Sequence, residues 1–398
     1  MVFLKAWVSK THPVLGVTKM KKTLMVAALT GVFATAAHAQ SSVTLYGLID
    51  AGITYTNNQR GHSNVQETTG SINGSRWGLR GAEDLGGGLK AIFTLENGFG
   101  INDGTLKQGS RLFGRQAFVG LASDQFGAVT LGRQYDSMVD FVAPLALTGT
   151  QYGGTQFAHP FDNDNLNNSF RVNNSVKFTS VNYAGFKFGA LYGFSNQADG
   201  FANNRVYSAG ASYSFAGFNF GAGYLQLNNS AGAVSQGTIN SSGAVTLDNT
   251  FFATRQQTWG AGANYTLGPA TFGIVYTQTN LQDLAGFGSG GGSQTFGAPD
   301  SAHFQNFEAN ARYALTPALS IAGSYTYTKA SLAATNPHFN QVNLQTDYAL
   351  SKRTDVYLQA EYVTTNDNAI VHPIINGLSA PSATNNQVAV TGGIRHRF

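Results

Sequence analysis

The chain of 398 residues is 42% hydrophobic and only 11% charged, with 48 Gly, 28 Phe, 17 Tyr and no Cys. So many rings argue against disorder, and a charge content far below the ~25% of a soluble domain points to an all-β protein or one that keeps much of its surface out of water. The missing cysteines exclude disulfide scaffolds, thiol catalysis and cysteine-bound metals. The net charge of +4 suggests a polyanion partner, a reading that the first element removes.

That element is "MKKTLMVAALTGVFATAAHA", in which Lys21 and Lys22 precede an apolar stretch ending in Ala37-His38-Ala39, the small-x-small pattern of a signal-peptidase site. Residues 1–39 are therefore expected to be a signal peptide, with translation starting at Met20 and cleavage between Ala39 and Gln40. A longer signal with an extended basic region is the other reading. Without Lys5, Lys10, Lys19, Lys21 and Lys22, the 24 basic residues become 19 against 20 acidic ones. Basicity belongs to the leader, and nucleic acid is not an expected partner.

From residue 40 to 398 no apolar run approaches the ~20 residues of a transmembrane helix. Runs of alternating polarity recur instead, the signature of half-buried strands. In "VTLYGLIDAGITY", Val43, Leu45, Gly47, Ile49, Ala51, Ile53 and Tyr55 share one face, and Asp50, Gly52 and Thr54 lie on the other. "QTWGAGANYTL" sets Trp259, Ala261, Ala263 and Tyr265 against Gly260, Gly262 and Asn264, and "NFEANARYAL" sets Phe307, Ala309, Ala311 and Tyr313 against Glu308, Asn310 and Arg312. Taken in order, the runs lie near 43–55, 72–82, 88–98, 111–121, 127–135, 172–182, 185–195, 205–215, 217–227, 257–267, 269–279, 304–315, 318–328, 339–349, 354–364 and 386–398.

Tight connections such as "SDQF", "GP" and "SKR" alternate with long ones at 136–171, 228–256, 280–303 and 366–385. Backbone groups in hydrocarbon need partners within the protein, so a membrane β-sheet must close. The expectation is one domain over 40–398, an all-β transmembrane antiparallel barrel of about 16 strands with short periplasmic turns and long external loops. Such a lumen is too wide for side chains to fill and holds water, which accounts for the polar face.

The stretches "SSVTLYGLIDAGI", "GSRWGLRGAEDLGGGLKAIFTLENGF", "FGRQAFVGLASDQFGAVTLGRQYD" and the terminal "GIRHRF" resemble the trimeric general porins of Gram-negative bacteria, in their betaproteobacterial and neisserial branch. The resemblance spans 41–398. It implies a homotrimer in outer-membrane lipid and lipopolysaccharide, a third loop (136–171) folded into the lumen as a constriction, and a passive channel for ions and small hydrophilic solutes. That loop carries Asp136, Asp140, Asp162 and Asp164.

Opposite the loop a basic wall is expected. Alternation in "SRWGLRG" makes Arg76 and Arg80 lumenal. Arg115, Arg133, Arg171 and Lys177 belong in the lumen too, because a cation on the lipid face costs roughly 2–4 kcal/mol at the midplane. Arg133, however, shares its alternation with Val129 and Leu131. Glu96 is expected in the lumen beside an arginine. The resemblance points to Arg76, Arg115 and Arg171 as a cluster favouring anions; the plainer reading is that lumenal charges only satisfy one another.

No sequence pattern calls for a cofactor, a metal or catalysis. The mature histidines, His62, His159, His303, His338, His372 and His396, read as solvated loop or end residues, and "GFGSGGGS" lacks the Lys-Ser/Thr ending of a phosphate loop. A substrate-specific channel and a structural or adhesive barrel remain the other readings. The last strand, "QVAVTGGIRHRF", turns Val388, Val390, Ile394 and Phe398 to lipid and Arg395 and Arg397 to the lumen or rim. By resemblance Phe398 is the sorting signal read by the barrel assembly machinery.

Overall fold

The computed structural model describes residues 42–229, 243–245, 251–289, 292–332, 335–367 and 371–398; the signal segment and its site at Ala39 and Gln40 lie outside them. One antiparallel sheet contains β1 (Ser42–Gln59), β2 (His62–Thr69), β3 (Arg76–Gly86), β4 (Leu89–Gly98), β5 (Gln116–Ser123), β6 (Gly127–Gln134), β7 (Val172–Thr179), β8 (Phe186–Gly193) and β9 (Arg205–Phe215). It continues through β10 (Phe218–Asn228), β11 (Phe251–Phe252), β12 (Arg255–Leu267), β13 (Ala270–Ser289), β14 (Gly292–Ala314), β15 (Leu319–Ser331), β16 (His338–Ala349), β17 (Thr354–Thr365) and β18 (Asn386–Arg397).

These segments fill sixteen wall positions. β2 and β3 share one position, since both pair with β1, at its far and near halves. β11 shares another with β12, because both pair with β13. Pairing of β1 with β18 closes the barrel, so no edge strand is left to face hydrocarbon. No described helix is long and apolar enough to cross a membrane; the strands do so.

Alternation becomes a division of faces. Val43, Leu45 and Ile53 stand 58–65% exposed, whereas Thr54, Thr56 and Thr391 on the other face are fully buried. Those threonines pair across strands: Thr54 Oγ1 lies 2.7 Å from Thr391 Oγ1 and 2.9 Å from Thr68 Oγ1. At the seam the N–H of Phe398 donates to the Gly47 carbonyl and the N–H of Gly47 donates back, both at 3.0 Å. A Cβ on residue 47 would lie 2.5 Å from the Phe398 ring, so the terminal aromatic needs glycine opposite it.

Three sequence expectations change. The second strand, expected at 72–82, begins at Arg76, and the segment before it, "HSNVQETT", forms β2. Between them the chain turns inward, where Asp50 Oδ2 accepts the N–H groups of Ile72 (2.9 Å) and Asn73 (2.7 Å). The fourth, expected at 111–121, begins at Gln116 and leaves Arg115 in the preceding loop. The long connection expected at 280–303 is instead largely strand, since β13 and β14 extend as a hairpin.

The long segment 136–171 packs against the polar face. Its first turn is α1 (Ser137–Phe141), capped by Asp136, whose Oδ1 accepts the N–H of Met138 at 2.7 Å; such a cap contributes about 1 kcal/mol. The helix lies on glycines: a Cβ at Gly221 would meet the Phe141 carbonyl oxygen at 2.0 Å, and one at Gly210 the Phe141 ring at 2.6 Å. Glycine on that face lets a helix approach the backbone of the wall. Farther along, Gln359 Nε2 donates to the Gly153 carbonyl (2.8 Å) and Gln341 Nε2 to that of Ala158 (3.1 Å).

Candidate functional site: a basic cluster on the inner wall

Arg76 and Arg115 flank one carboxylate. Glu96 Oε1 accepts Arg115 Nε at 2.7 Å and Tyr135 Oη at 3.0 Å, while Oε2 accepts Tyr46 Oη at 3.0 Å. Arg115 Nη2 donates to Tyr135 Oη (3.0 Å), and the Arg171 guanidinium stacks 5.8 Å from the Tyr135 ring centroid. Tyr135 thus joins two arginines, one through its hydroxyl and one through its π face, the latter an arrangement worth ~0.5–2 kcal/mol. Arg76 Nε donates to the Gly74 carbonyl at 2.9 Å, which ties its stem to the inward turn held by Asp50.

Arg76, Arg115, Arg171 and Lys107 line a common cavity of about 550 Å³ between the wall and the 136–171 segment. Glu96 pairs with Arg115 and Asp103 approaches Lys107 at 3.6 Å, but the lining itself holds four cations and no carboxylate, so positive charge dominates. Lys107 belongs to the 99–115 connection, outside any strand, where alternation could not find it.

The other basic residues sit apart from this cavity. Arg80 stacks on the Tyr46 ring at 5.3 Å. Arg133 donates to the Gly114 carbonyl (2.8 Å) and Asn173 Oδ1 (2.6 Å). It shares its alternation with the exposed Val129 and Leu131, but Gly132, at φ 141°, precedes a register shift that turns the guanidinium inward, as the cost of a cation in lipid requires. Lys177 Nζ pairs with Asp140 Oδ2 at 2.5 Å and donates to the Tyr135 carbonyl at 2.9 Å.

The loop aspartates lie outside the lining of the cavity. Asp136 caps α1 and accepts Asn165 Nδ2 at 2.7 Å. Asp162 accepts the N–H groups of Asn167 (2.9 Å) and Ser169 (3.1 Å), turning the chain toward Arg171. Burial, and then the neighbouring Asp164, push the Asp162 carboxyl up to about 6.

Asp164 forms a bridge that sequence reasoning missed. His159, expected in solvent, is fully buried, its Nδ1 2.6 Å from Asp164 Oδ2 and its Nε2 2.8 Å from Glu308 Oε2 on β14. Glu308 Oε1 also accepts the N–H of Leu147 at 2.7 Å. Burial opposes charge on the imidazole, but the Asp164 and Glu308 carboxylates outweigh it and push its pKa up to about 10. Burial likewise opposes charge on Asp164, yet His159 holds that carboxyl below its usual range. Only the fold brings 159, 164 and 308 together; alternation marks Glu308 as inward and nothing more. A second bridge lies near the seam, where buried Arg395 donates to Asp355 Oδ1 (3.0 Å), Asn73 Oδ1 (2.6 Å) and the Gln151 carbonyl (2.9 Å).

A closed sixteen-position barrel, apolar outside and polar inside, with a basic cavity on its inner wall, is an outer-membrane channel. The family model for Gram-negative porins matches residues 24–368, and the chain belongs to that family. An outer membrane porin protein of Bordetella pertussis is 32% identical over 95% of this chain and 100% of its own length. Outer membrane porin protein 32 of Delftia acidovorans is 30% identical, again over 95% and 100%. Among solved structures, an anion-selective porin from Comamonas acidovorans superimposes with a TM-score of 0.69 at 25% identity, covering 90% of this chain and all of that one.

Proposed function

We propose that this porin is a general diffusion channel that passes small hydrophilic solutes and favours anions. The carrying observation is that Arg76, Arg115, Arg171 and Lys107 share one cavity while the four loop aspartates are engaged elsewhere. In this reading the 136–171 segment narrows the lumen and presses the permeant against the arginines. A fixed basic ladder admits hydrated anions and delays cations without a stoichiometric binding step. Similarity to an anion-selective porin supports the sign.

The protein works as a trimer in this proposal, with the uncharged outer face of β1 at the subunit contact. Export uses the signal at 1–39, cleaved after Ala39. Purified protein in planar bilayers is expected to give large, ohmic, stepwise openings whose current does not saturate with one solute. Absence of steps would support a structural barrel, and saturation by a single solute a specific channel.

Phe398 serves assembly rather than conduction. Deleting it is expected to lower the amount of heat-modifiable, assembled protein in outer membranes several-fold, while the channels that do assemble keep their unit conductance. Unchanged yield contradicts this role.

A further inference from the structure

The wall position shared by β2 and β3 is interrupted in a way that sheet geometry does not require. β1 has only two residues, Ile49 and Asp50, between its pairs Leu48 with Arg76 and Ala51 with Thr69, whereas the chain opposite has six, 70–75. An ordinary β-bulge adds one residue. Here the four in excess leave the ladder and enter the lumen. The excursion is pinched at its base, where Gly70 has φ 70° and a Cβ on it would lie 2.6 Å from Gly74 Cα.

This turn is held from the wall and from the 136–171 segment at once. Asp50 is fully buried; its Oδ2 accepts the N–H groups of Ile72 and Asn73, and its Oδ1 accepts Tyr357 Oη at 2.6 Å. Ser75 Oγ accepts the Asp50 N–H at 3.1 Å and fastens the returning end. From the loop side, the N–H groups of Thr155 and Gln156 donate to the carbonyls of Ile72 (3.1 Å) and Ser71 (3.2 Å). Gly154 permits this backbone clasp, since it has φ 73° and a Cβ there would lie 1.7 Å from the Ile72 carbonyl oxygen. Arg395 adds a further tie by donating both to Asn73 Oδ1 and to the Gln151 carbonyl.

Polar backbone in a wet lumen can bond to water, so neither the sheet nor the solvent demands the clasp. What it does is place the turn. Ile72, Asn73, Gly74 and Ser75 line the same cavity as the arginines, and Arg76 follows directly, its Nε held by the Gly74 carbonyl. We propose that the turn 70–75 is a second arm of the constriction and that Asp50 is the positioning residue that holds it in the lumen. Its clasp on 154–156 then sets both the width of the passage and the distance of Arg76 from the permeant. The proposal rests on the reading of the basic cavity as the permeation path, but not on the sign of the selectivity.

The test records unit conductance and salt-gradient reversal potential for the wild-type porin and for Asp50→Ala, Asp50→Asn and Gly154→Ala, with melting temperature followed in parallel. Asp50→Ala leaves two N–H groups of the turn without their acceptor, and Gly154→Ala forces the arms apart from the loop side; neither removes a lumenal arginine. Asparagine loses the same charge as alanine but keeps an oxygen for the turn, so Asp50→Asn isolates geometry from charge and is expected to keep the wild-type conductance. Unit conductance is expected to rise in Asp50→Ala relative to Asp50→Asn, and in Gly154→Ala relative to wild type. In the same comparisons the anion-to-cation ratio is expected to fall about twofold, the effect of an Arg76 charge retreating from ~7 to ~10 Å from the permeant. Should Asp50→Ala fail to assemble, Gly154→Ala, which lies outside the wall, decides alone. Unchanged conductance and reversal potential in the assembled variants, whatever their melting temperature, would make Asp50 a residue of stability only and overturn the proposal. A wild-type channel without anion preference would contradict the selectivity reading instead, and the conductance comparison would still decide the role of the turn.

Discussion

Glutamine at Arg76, Arg115 and Arg171 together is expected to remove most of the anion preference of the channel and to move its reversal potential in a salt gradient toward zero. A unit charge ~7 Å away in water acts on a monovalent ion with about 0.6 kcal/mol. It attracts anions and repels cations by that amount, so three such charges separate the pair by about 3.6 kcal/mol, a few hundredfold before screening. Lys107 survives in the variant and leaves a residual preference. Because Arg115 neutralises the buried Glu96, its loss also exposes a carboxylate and drives selectivity further toward cations. The double variant Arg76→Gln/Arg171→Gln keeps the Glu96–Arg115 pair and guards against misfolding; it is expected to lose a smaller share. An unchanged reversal potential in both variants would show that these arginines only stiffen the wall.

The second large effect is expected at His159. Replacing it with leucine leaves Asp164 and Glu308 buried without the cation between them, and breaking a buried pair from one side costs about 3–5 kcal/mol. The variant should melt at lower temperature in detergent, and its single-channel current should become noisier, because the 136–171 segment loses the imidazole that joins Asp164 to Glu308 on β14. pH provides a second readout. The folded-state pKa of His159 is raised to about 10 from roughly 6.5 when unfolded, so its contribution is complete below that unfolded value and is lost as pH rises through about 10. Asp164 is depressed, so its contribution is present above its unfolded value and is lost as the solution is made strongly acidic. Wild type should therefore lose melting temperature on approaching pH 10, and the leucine variant should lack that component. Identical melting and pH profiles would contradict the bridge.

The barrel was legible because lipid and water impose opposite demands on alternate residues. Val43, Leu45 and Ile53 advertise one side and Thr54 the other, whatever the loops do. Where a strand leaves the hydrocarbon the signal fades: "HSNVQETT" has one apolar residue and still forms β2, and in the upper parts of β13 and β14 register shifts break the alternation while Leu281, Leu284 and Phe287 join a buried cluster. Arg76 was readable from its strand phase. For Arg133 the cost of a cation in lipid pointed inward while its phase did not, because one bulge at Gly132 reverses the phase after it. Gly210 and Gly221 sit in alternating strands like any small residue, but their reason, a helix lying on them, comes from contacts between residues about 70–80 positions apart. His159 shows the limit most plainly: a histidine in a long connection looks solvated until Glu308 arrives from another strand.

The sign of the pore's selectivity is read by the reversal potential of the wild-type channel across a potassium chloride gradient, taken first near 0.1 M and then near 1 M salt. Anion preference is expected at low salt and should shrink at high salt, as the screening length falls from about 10 Å to about 3 Å. Cation preference, or no preference at low salt, would contradict it.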